Sequence, residues 1–281
     1  VVMSARASAS HALSLRPSTA KRASSASRRR APSVIVRASS SSKVVVLGGS
    51  GFVGSRVCEQ LARQGCAVTS VSKSGARVSG ADASVACDFE AQSVDDVAEA
   101  LRGADVCVSC VGVIGTDNDA MRVGNGDINV KAIEAAKAAG VKRFVYVSVA
   151  SVVKDVVGTT PLMRGYFEGK TRTEDALAAN FGAGNSFVVK PSFIYGGDAF
   201  SLTPPRVTKT YGDLLSKILG SGAVKSIAAK SPGPIKLTLA EPVSVDDVAG
   251  ACVVGALGMN TSDVVDGTDD IKACAAALKS A

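Results

Sequence analysis

Short apolar runs alternate with longer stretches of helical periodicity from residue 43 onwards. The runs are rich in β-branched residues, which is typical of parallel strands buried on both faces. They predict six strands, at residues 43–47, 67–72, 83–87, 104–111, 144–149 and 186–190. The helical patterns predict helices at residues 55–64, 93–101, 128–139 and 166–179. This alternation with short connections predicts an α/β fold, a Rossmann-like doubly wound parallel sheet.

The pattern becomes less regular after the sixth predicted strand. Residues 198–235 contain four prolines around one helical pattern, at residues 211–219. Because proline interrupts both strands and helices, we interpret this region as a small C-terminal extension on the substrate side of the sheet. Residues 242–257 predict a last helix with its approach, and the pattern from residue 260 onwards is weak.

Residues 1–42 differ in composition from the rest of the chain. They hold eight Lys and Arg residues, many serines, and no Asp or Glu. This composition is typical of a disordered organelle transit peptide, and a basic arm that stays attached is the alternative. Val36-Arg37-Ala38, followed by four serines, is typical of a plastid processing site. The predicted location is therefore the chloroplast, with the mitochondrion as the alternative.

The leader also explains the charge of the chain, which is +7 overall. Removing its eight basic residues from the chain's 32 leaves 24, against 25 acidic residues. With that balance, four tyrosines and no tryptophan, an RNA-binding role is disfavoured and no nucleic-acid partner is expected. No apolar run reaches the ~18 residues of a membrane span, so only peripheral membrane contact stays open.

Histidine and cysteine narrow the chemistry. The one histidine, His11, lies in the leader, so the rest of the chain is predicted to hold no histidine-based triad and no histidine metal site. The seven scattered cysteines argue against a disulfide framework. Cys107 and Cys110 have redox-motif spacing, but residues i and i+3 of a strand face opposite sides, so we interpret both as core thiols.

A glycine-rich turn separates the first predicted strand from the first predicted helix. Glycine lets the backbone approach a pyrophosphate, and the helix N-terminus offers free N–H groups and a positive dipole end. This context predicts a dinucleotide cradle and makes residues 43–281 an NAD(P)-binding Rossmann domain. The predicted cofactor-binding residues of the turn are Gly48, Ser50, Gly51, Phe52, Val53 and Gly54.

The end of the second predicted strand bears on the choice of nucleotide. An acidic residue there would bind the ribose 2′-hydroxyl of NAD, but this chain has Ser72 and Lys73, and no acid before Asp82. A hydroxyl and an ammonium favour a 2′-phosphate, so NADP(H) is preferred over NAD(H). Lys73 as a solvated loop residue is the alternative.

Later strand ends supply further candidates. Asp88 follows the third predicted strand, where such folds hold the adenine amino group, although a plain loop acid fits as well. Val111 and Gly112 end the fourth, where glycine lets the backbone lie against a cofactor. Tyr166 and Lys170, at i and i+4, share one face of a helix.

In order along the chain, GGSGFVGS, GVKRFVYVS, YFEGK and KPSFIYG resemble the atypical and extended short-chain dehydrogenase/reductases over roughly residues 43–257. VSKSG, SCVG and RGYFEGK resemble a plastid and mitochondrial subgroup. That subgroup is similar to the NADPH-carrying accessory subunit of respiratory complex I and to a yeast protein linked to ubiquinone synthesis. The resemblance implies quinone metabolism, and its plant members imply association with thylakoid lipid bodies, the plastoglobules.

The resemblance also implies roles for single residues. Tyr166 is the proton donor or acceptor beside the nicotinamide, and Lys170 lowers the pKa of the phenol and binds the nicotinamide ribose. Pro191 and Ser192, in KPSFIYG, are implied to contact the cofactor. Asn129 matches a helix asparagine of relatives, and an N-cap is the alternative.

One catalytic position departs from the family pattern. The expected serine position is Val149, flanked by Ser148 and Ser151. Ser148 is taken as the candidate hydroxyl, although strand alternation places it on the face opposite residue 149. In addition, Lys190 stands where relatives carry arginine.

The sequence predicts two alternative functions. The first is an NADP(H)-dependent oxidoreductase of an organelle that acts on a small hydrophobic carbonyl or quinone-related substrate. The second is a non-catalytic NADP(H)-binding subunit or assembly factor in quinone metabolism or in an electron-transfer complex.

Overall fold

The computed structural model describes residues 42–158, 160–197, 201–202, 205–206, 208–231 and 239–279. The predicted leader lies outside the described residues apart from Ser42, as do three of the four prolines of the predicted extension. The strands are β1 (Lys43–Leu47), β2 (Ala67–Ser72), β3 (Ala83–Ala86), β4 (Val106–Ser109), β5 (Arg143–Val147), β6 (Ser186–Lys190), β7 (Ile194–Tyr195), β8 (Ser201–Leu202), β9 (Pro205–Arg206), β10 (Val243–Ser244) and β11 (Val264–Asp266).

Seven of these strands form one parallel sheet in the order β11-β6-β5-β4-β1-β2-β3. The direction of winding reverses between β1 and β4, so the connections after these strands diverge and leave a crevice at their carboxyl ends. The predicted Rossmann-like doubly wound sheet is confirmed. β7 pairs in parallel with β10, and β8 pairs with β9 in antiparallel.

Helices cover both faces of the sheet. They are α1 (Phe52–Arg63), α2 (Val94–Ala100), α3 (Asn118–Arg122), α4 (Ile128–Ala138), α5 (Ser151–Val157), α6 (Arg164–Phe181), α7 (Lys209–Leu219), α8 (Gly222–Lys230), α9 (Val245–Ala256) and α10 (Thr268–Ala276). A π-helical turn, Val123–Asp127, joins α3 to α4. Short 3₁₀ turns lie at Pro161–Met163 and Ala277–Lys279. No helix within the described ranges is long and apolar enough to cross a membrane.

Alternation along the strands divides the core into two layers. Phe144 and Tyr146 of β5 pack with α2, α4 and α6, whereas Val145 and Val147 pack with α1, α9 and α10. All four are buried. Since both faces of the strands are covered, the continuous apolar runs of the sequence follow directly from the fold.

Several element boundaries differ from the predictions. Helix α1 begins at Phe52 rather than residue 55, because Gly51 already caps it. The predicted loop before residue 128 contains α3, since the Asp117 side chain accepts hydrogen bonds from the N–H groups of Asp119 and Ala120. β4 and β5 end earlier than predicted, at Ser109 and Val147. Neighbouring apolar residues had extended the pattern beyond the paired backbone.

The C-terminal part holds more structure than its weak pattern predicts. β11 supplies the seventh strand of the sheet, and α10 packs on α9. β11 has only three residues at an edge, which is too short for a periodic signal. Within the predicted extension, the helix at residues 211–219 is confirmed as α7, and α8 follows it unpredicted.

Candidate functional site

The glycine turn after β1 is tight enough to exclude side chains. Gly48 has φ +71°, its N–H donates to the Val71 carbonyl at 2.8 Å, and the Gly51 N–H donates to the Gly48 carbonyl at 2.9 Å. A Cβ on Gly54 would lie 2.1 Å from the Gly48 oxygen. Only glycine allows α1 to start this close to the turn, so the carboxyl end of β1 meets the N-terminus of α1 with an open backbone.

Two buried hydroxyls next to this turn have no hydrogen-bond partner in the described part of the chain, those of Ser70 and Ser72. The Ser70 oxygen would lie 2.4 Å from a Cβ on Gly49, directly behind the turn. The first turn of α1 also carries no acidic residue. An open backbone, unpaired hydroxyls and an uncompensated helix N-terminus fit a polar, anionic group such as a dinucleotide pyrophosphate.

The other residues predicted for this loop have different surroundings. Ser50 is exposed, whereas Val53 packs against the core beneath α1. The Phe52 ring lies 3.6 Å from where a Cβ on Gly197 would stand, so the chain after β7 passes beside the turn. Val53 can therefore meet a ligand only through its backbone.

Lys73 and Asp88 contact each other. The Lys73 Nζ lies 2.9 Å from Asp88 Oδ2, where the ends of β2 and β3 meet. The hydrogen bond from Lys73 lowers the pKa of the Asp88 carboxyl, and the same bond raises the pKa of Lys73. The side chain of Lys73 is 73% exposed. The two predicted residues thus form one charge pair beside the crevice, and the lysine is open to a ligand.

Lys170 is buried beneath the loop that follows β4. Its Nζ donates to the Val147 carbonyl at 2.9 Å and lies 4.8 Å from the centre of the Tyr146 ring. A Cβ on Gly112 would lie 3.4 Å from the same Nζ. Burial lowers the pKa of Lys170 to about 8, partly opposed by the charge of Glu174. The fold thus brings together Lys170 and Gly112, two residues predicted separately to contact the cofactor.

Tyr166 lies one helical turn before Lys170 and is partly exposed. The Lys170 Nζ is 5.7 Å from the centre of its ring, and the Phe167 ring packs edge-on at 5.1 Å. Among the described residues, the Tyr166 hydroxyl has no hydrogen-bond partner. Burial raises the pKa of Tyr166 to about 12. This rise comes from burial, and the lowering of the phenol pKa by Lys170 that the resemblance implies stays a prediction.

The structure pairs Ser148 with Glu174 rather than with Tyr166. The Ser148 hydroxyl donates to Glu174, whose other oxygen lies 2.8 Å from the Lys190 Nζ. Ser148 lies beyond the end of β5, so the alternation argument does not apply to it. Val149 is buried, and Ser151 opens α5 with its backbone N–H donating to Asp266. The described hydrogen bonds therefore link no serine of this loop to Tyr166.

Two buried asparagines fix the loop after β4. Asn129 donates to the Val111 carbonyl at 3.3 Å and accepts from Ser109, so the alternative N-cap role is wrong. Asn125, in the π-helical turn, accepts from the Val113 N–H at 3.2 Å and donates to the Val113 carbonyl at 2.7 Å. Sequence reasoning missed Asn125. Its only signal was a second asparagine four residues before Asn129.

Pro191 and Ser192 follow β6 at the same edge of the sheet. The Pro191 carbonyl accepts from the Ala150 N–H at 2.9 Å, which ties the ends of β5 and β6 together. The Ser192 hydroxyl donates to the Glu241 carbonyl at 3.0 Å. Both residues thus border the crevice, although Ser192 is engaged with a neighbouring segment.

Comparison with known proteins identifies the domain. Residues 48–201, more than half of the chain, match a family described as NAD(P)H-binding. The chain belongs to this NAD(P)H-binding family. An uncharacterised chloroplastic protein of Arabidopsis thaliana is 34% identical to the NAD(P)H-binding chain in an alignment of 225 positions that covers 75% of this chain and 70% of the relative.

Solved structures share the fold of this NAD(P)H-binding protein at low sequence identity. UDP-N-acetylglucosamine 4-epimerase from Bacillus cereus matches with a TM-score of 0.55 and 15% identity over 85% of this chain and 84% of its own. MoeE5 in complex with UDP-glucose and NAD matches with a TM-score of 0.54 and 18% identity over 85% and 82%. These matches support a Rossmann-type architecture.

Two cysteines of the NAD(P)H-binding domain, Cys107 and Cys110, pack in the core, as interpreted. Cys107 and Cys110 lie in opposite layers of the core, and all the cysteines are free thiols. Burial raises the pKa of both thiols far above the ordinary value. In the described ranges, no cluster of His, Cys, Asp and Glu could hold a metal ion.

Proposed function

We propose that this protein is an NADPH-dependent oxidoreductase of the short-chain dehydrogenase/reductase type. Its substrate would be a small hydrophobic carbonyl or quinone-related compound. The observation that carries the proposal is the position of Lys170 at the carboxyl edge of the sheet, next to Gly112 and 5.7 Å from the centre of the Tyr166 ring. The 34% identical chloroplastic relative supports a chloroplast location. Lipid-body association and membership of a larger complex stay predictions.

The residues present fit a bound dinucleotide. The turn from Gly48 to Gly54 would hold the pyrophosphate, and Lys73 would meet a 2′-phosphate. The Val111–Gly112 backbone and Lys170 would meet the nicotinamide and its ribose. A bound NADPH supplies a hydride to the carbonyl carbon of a substrate.

The chain itself supplies the proton. Because burial holds the pKa of Tyr166 at about 12, the phenol keeps its proton at neutral pH and can donate it to the carbonyl oxygen. The resulting phenolate is stabilised by the Lys170 ammonium, whose pKa is about 8. That charge is present below about pH 8 and is lost above it. Carbonyl reduction should therefore decline as the pH rises through this range.

Apolar side chains border the site. Val113 and Ile114 follow β4 and are 40% and 41% exposed, and Phe193 follows β6 and is 57% exposed. Lys190 and Lys209, on the same side, each pair with a carboxylate, those of Glu174 and Asp213. Exposed apolar side chains next to neutralised lysines favour an uncharged, hydrophobic substrate.

Tyr166→Phe tests the catalytic role. Turnover of NADPH over a panel of quinones and apolar aldehydes and ketones should fall by about 10²-fold or more, because the proton donor is lost. The affinity for NADPH, measured by fluorescence titration, should stay unchanged. Tyr195→Phe is the matched control, since its hydroxyl bonds to Asp213 of α7 rather than to Tyr166 or Lys170. Unchanged turnover in Tyr166→Phe would remove Tyr166 from the mechanism.

A non-catalytic NADP(H)-binding role is the second candidate. It is favoured by the serine loop, where Val149 offers no hydroxyl and Ser148 is held by Glu174. In that case nucleotide binding would be measurable, whereas no member of the carbonyl panel would be reduced. Such a protein would use the nucleotide to stabilise its fold or a complex.

A further inference from the structure

Glu241 is a buried carboxylate whose partners lie in three helices, α7, α8 and α10. Its side chain is 8% exposed, and it lies just before β10. A carboxylate is rarely this buried unless several partners satisfy it. Its contacts reach elements that are far apart in the sequence.

The side chain of Glu241 joins three helices. One oxygen accepts from Lys272 of α10 and, at 2.6 Å, from the Ser216 hydroxyl of α7. The other lies 3.2 Å from the Nζ of Lys225 in α8. Although burial raises the pKa of this carboxyl, the hydrogen bonds from Lys272, Ser216 and Lys225 outweigh it and lower the pKa overall. Glu241 is therefore charged at neutral pH and holds both extension helices to the sheet domain.

The main-chain carbonyl of Glu241 contacts the loop after β6 and the start of α10. Its carbonyl accepts from the Ser192 hydroxyl at 3.0 Å and from the Thr268 hydroxyl. Ser192 belongs to the loop that leaves β6 at the crevice. A single residue thus bonds to α7 and α8 with its side chain and to the crevice loop with its backbone.

The extension helices reach the crevice from this anchor. Gly212 of α7 packs so closely on the Tyr195 ring that a Cβ there would lie 2.0 Å from a ring carbon. The Tyr195 hydroxyl also donates to Asp213 of α7 at 3.0 Å. Tyr195 lies three residues after Ser192, in the segment that continues to Gly197 beside the Phe52 ring. Helix α7 therefore borders the segment that runs from the crevice loop to the glycine turn.

We infer that Glu241 is a positioning residue, which sets helices α7 and α8 relative to the crevice loop that carries Ser192. The inference goes beyond the proposed function and does not depend on it. Its physical basis is the desolvated carboxylate: any shift of α7, α8 or the loop would leave a buried charge without partners, which is strongly unfavourable.

Hydrogen–deuterium exchange on the whole chain tests the link to the helices. Glu241→Gln keeps the size of the side chain but removes its charge, so exchange of peptides from residues 209–230 should accelerate by about tenfold or more. Peptides from β1, β4 and β5 should exchange at the wild-type rate. Asp269→Asn is the matched control: it removes the other partner of Lys225, a carboxylate that is 69% exposed, and should leave α7 unchanged. Equal exchange in Glu241→Gln and wild type would overturn the inference.

Combining variants tests the link to the crevice loop. Ser192→Ala should also accelerate exchange at residues 209–230, and it should add little in the Glu241→Gln background, since both act through one residue. Strictly additive effects would overturn the coupling. Should Glu241→Gln not fold, Ser216→Ala, which removes one neutral partner, is measured in its place. Faster exchange confined to α7 is then expected, and an unchanged rate would refute the role of Glu241.

A measurement of NADPH binding separates this inference from the proposed function. NADPH affinity, from fluorescence titration, should weaken by about threefold or more in Glu241→Gln, because Ser192 borders the site. Wild-type affinity in a variant with faster exchange would confine Glu241 to a structural role and reject the positioning of the crevice loop. Absence of NADPH binding in the wild-type chain would instead contradict the proposed function, and the exchange experiments would still decide the role of Glu241.

Discussion

Burial and ion pairing shift the pKa values of two lysines at the site in opposite directions. Lys170 is enclosed, and burial lowers its pKa even though a carbonyl and an aromatic face contact its ammonium. Lys73 is exposed and gains Asp88, so its pKa rises. The first lysine is suited to a fixed contact inside the cleft. The second lysine can bind an approaching anion if Lys73 contacts both the anion and Asp88 or leaves Asp88.

Substitution of Lys73 and Asp88 tests the preference for NADP(H). Lys73→Met should weaken the binding of NADP⁺ by about tenfold and leave NAD⁺ nearly unchanged, since a charge-assisted contact to the 2′-phosphate is lost. Asp88→Asn should act in the opposite direction, because it frees Lys73 and removes a negative charge near the phosphate. Both affinities are measured by isothermal titration calorimetry.

Lys142→Met is the control for that experiment. Lys142 is an exposed lysine that also pairs with an aspartate, Asp105, at the opposite edge of the sheet. It should affect neither nucleotide. Equal losses for NADP⁺ and NAD⁺ in Lys73→Met would show that Lys73 does not meet a 2′-phosphate.

A local sequence motif determines where helix α2 begins, whereas close backbone packing determines where helix α1 begins. Ser93 and Asp96 form the predicted capping box of α2, each bonding to the backbone of the other. This local device was readable from the sequence. Helix α1 depends instead on the glycine turn, since its first residues lie against the Gly48 carbonyl.

Gly54→Ala tests the packing of α1 on the turn. The added Cβ would lie 2.1 Å from the Gly48 oxygen, so α1 has to move away. We expect a loss of about 1–3 kcal/mol in the free energy of unfolding and loss of nucleotide binding, from urea titrations and calorimetry. Gly222→Ala, the same substitution at the start of α8 where a Cβ meets nothing within 4 Å, is the control. Retained nucleotide affinity in Gly54→Ala would contradict the assigned cradle.

The whole domain is a sheet with two apolar layers and one polar edge. Apolar layers stabilise the fold wherever they lie, but the carboxyl edge gathers unpaired hydroxyls, the open turn and buried charges. A ligand that satisfies these groups only in the folded state must stabilise the domain.

Thermal unfolding tests this expectation for the whole protein. At 100-fold excess over its dissociation constant, NADPH should add about 2.7 kcal/mol to the free energy of unfolding. For a chain of this size that raises Tm by roughly 5–10 °C. Scanning calorimetry with NADPH, NADH and adenosine alone makes the comparison. An unchanged Tm with both dinucleotides would argue against a nucleotide site.

Local chemistry and periodicity were enough for part of this structure. The six central strands, the glycine turn, the capping box and the Tyr166–Lys170 face follow from short-range patterns, because each depends on residues that are neighbours in the chain. The two-residue strands, β11 and the exact ends of β4 and β5 do not, because pairing across the sheet decides where a strand stops.

The sequence by itself determined a Rossmann-like domain with a nucleotide turn and a tyrosine–lysine pair. Only the tertiary structure decided which partners the polar residues have: Lys73 with Asp88, Ser148 with Glu174, and Glu241 with three helices and a loop. The physical reason is that charge and hydrogen bonding depend on groups brought close in space and removed from water. The groups in these pairs lie up to 49 positions apart in the chain, as Ser192 and Glu241 do, and no local pattern records them.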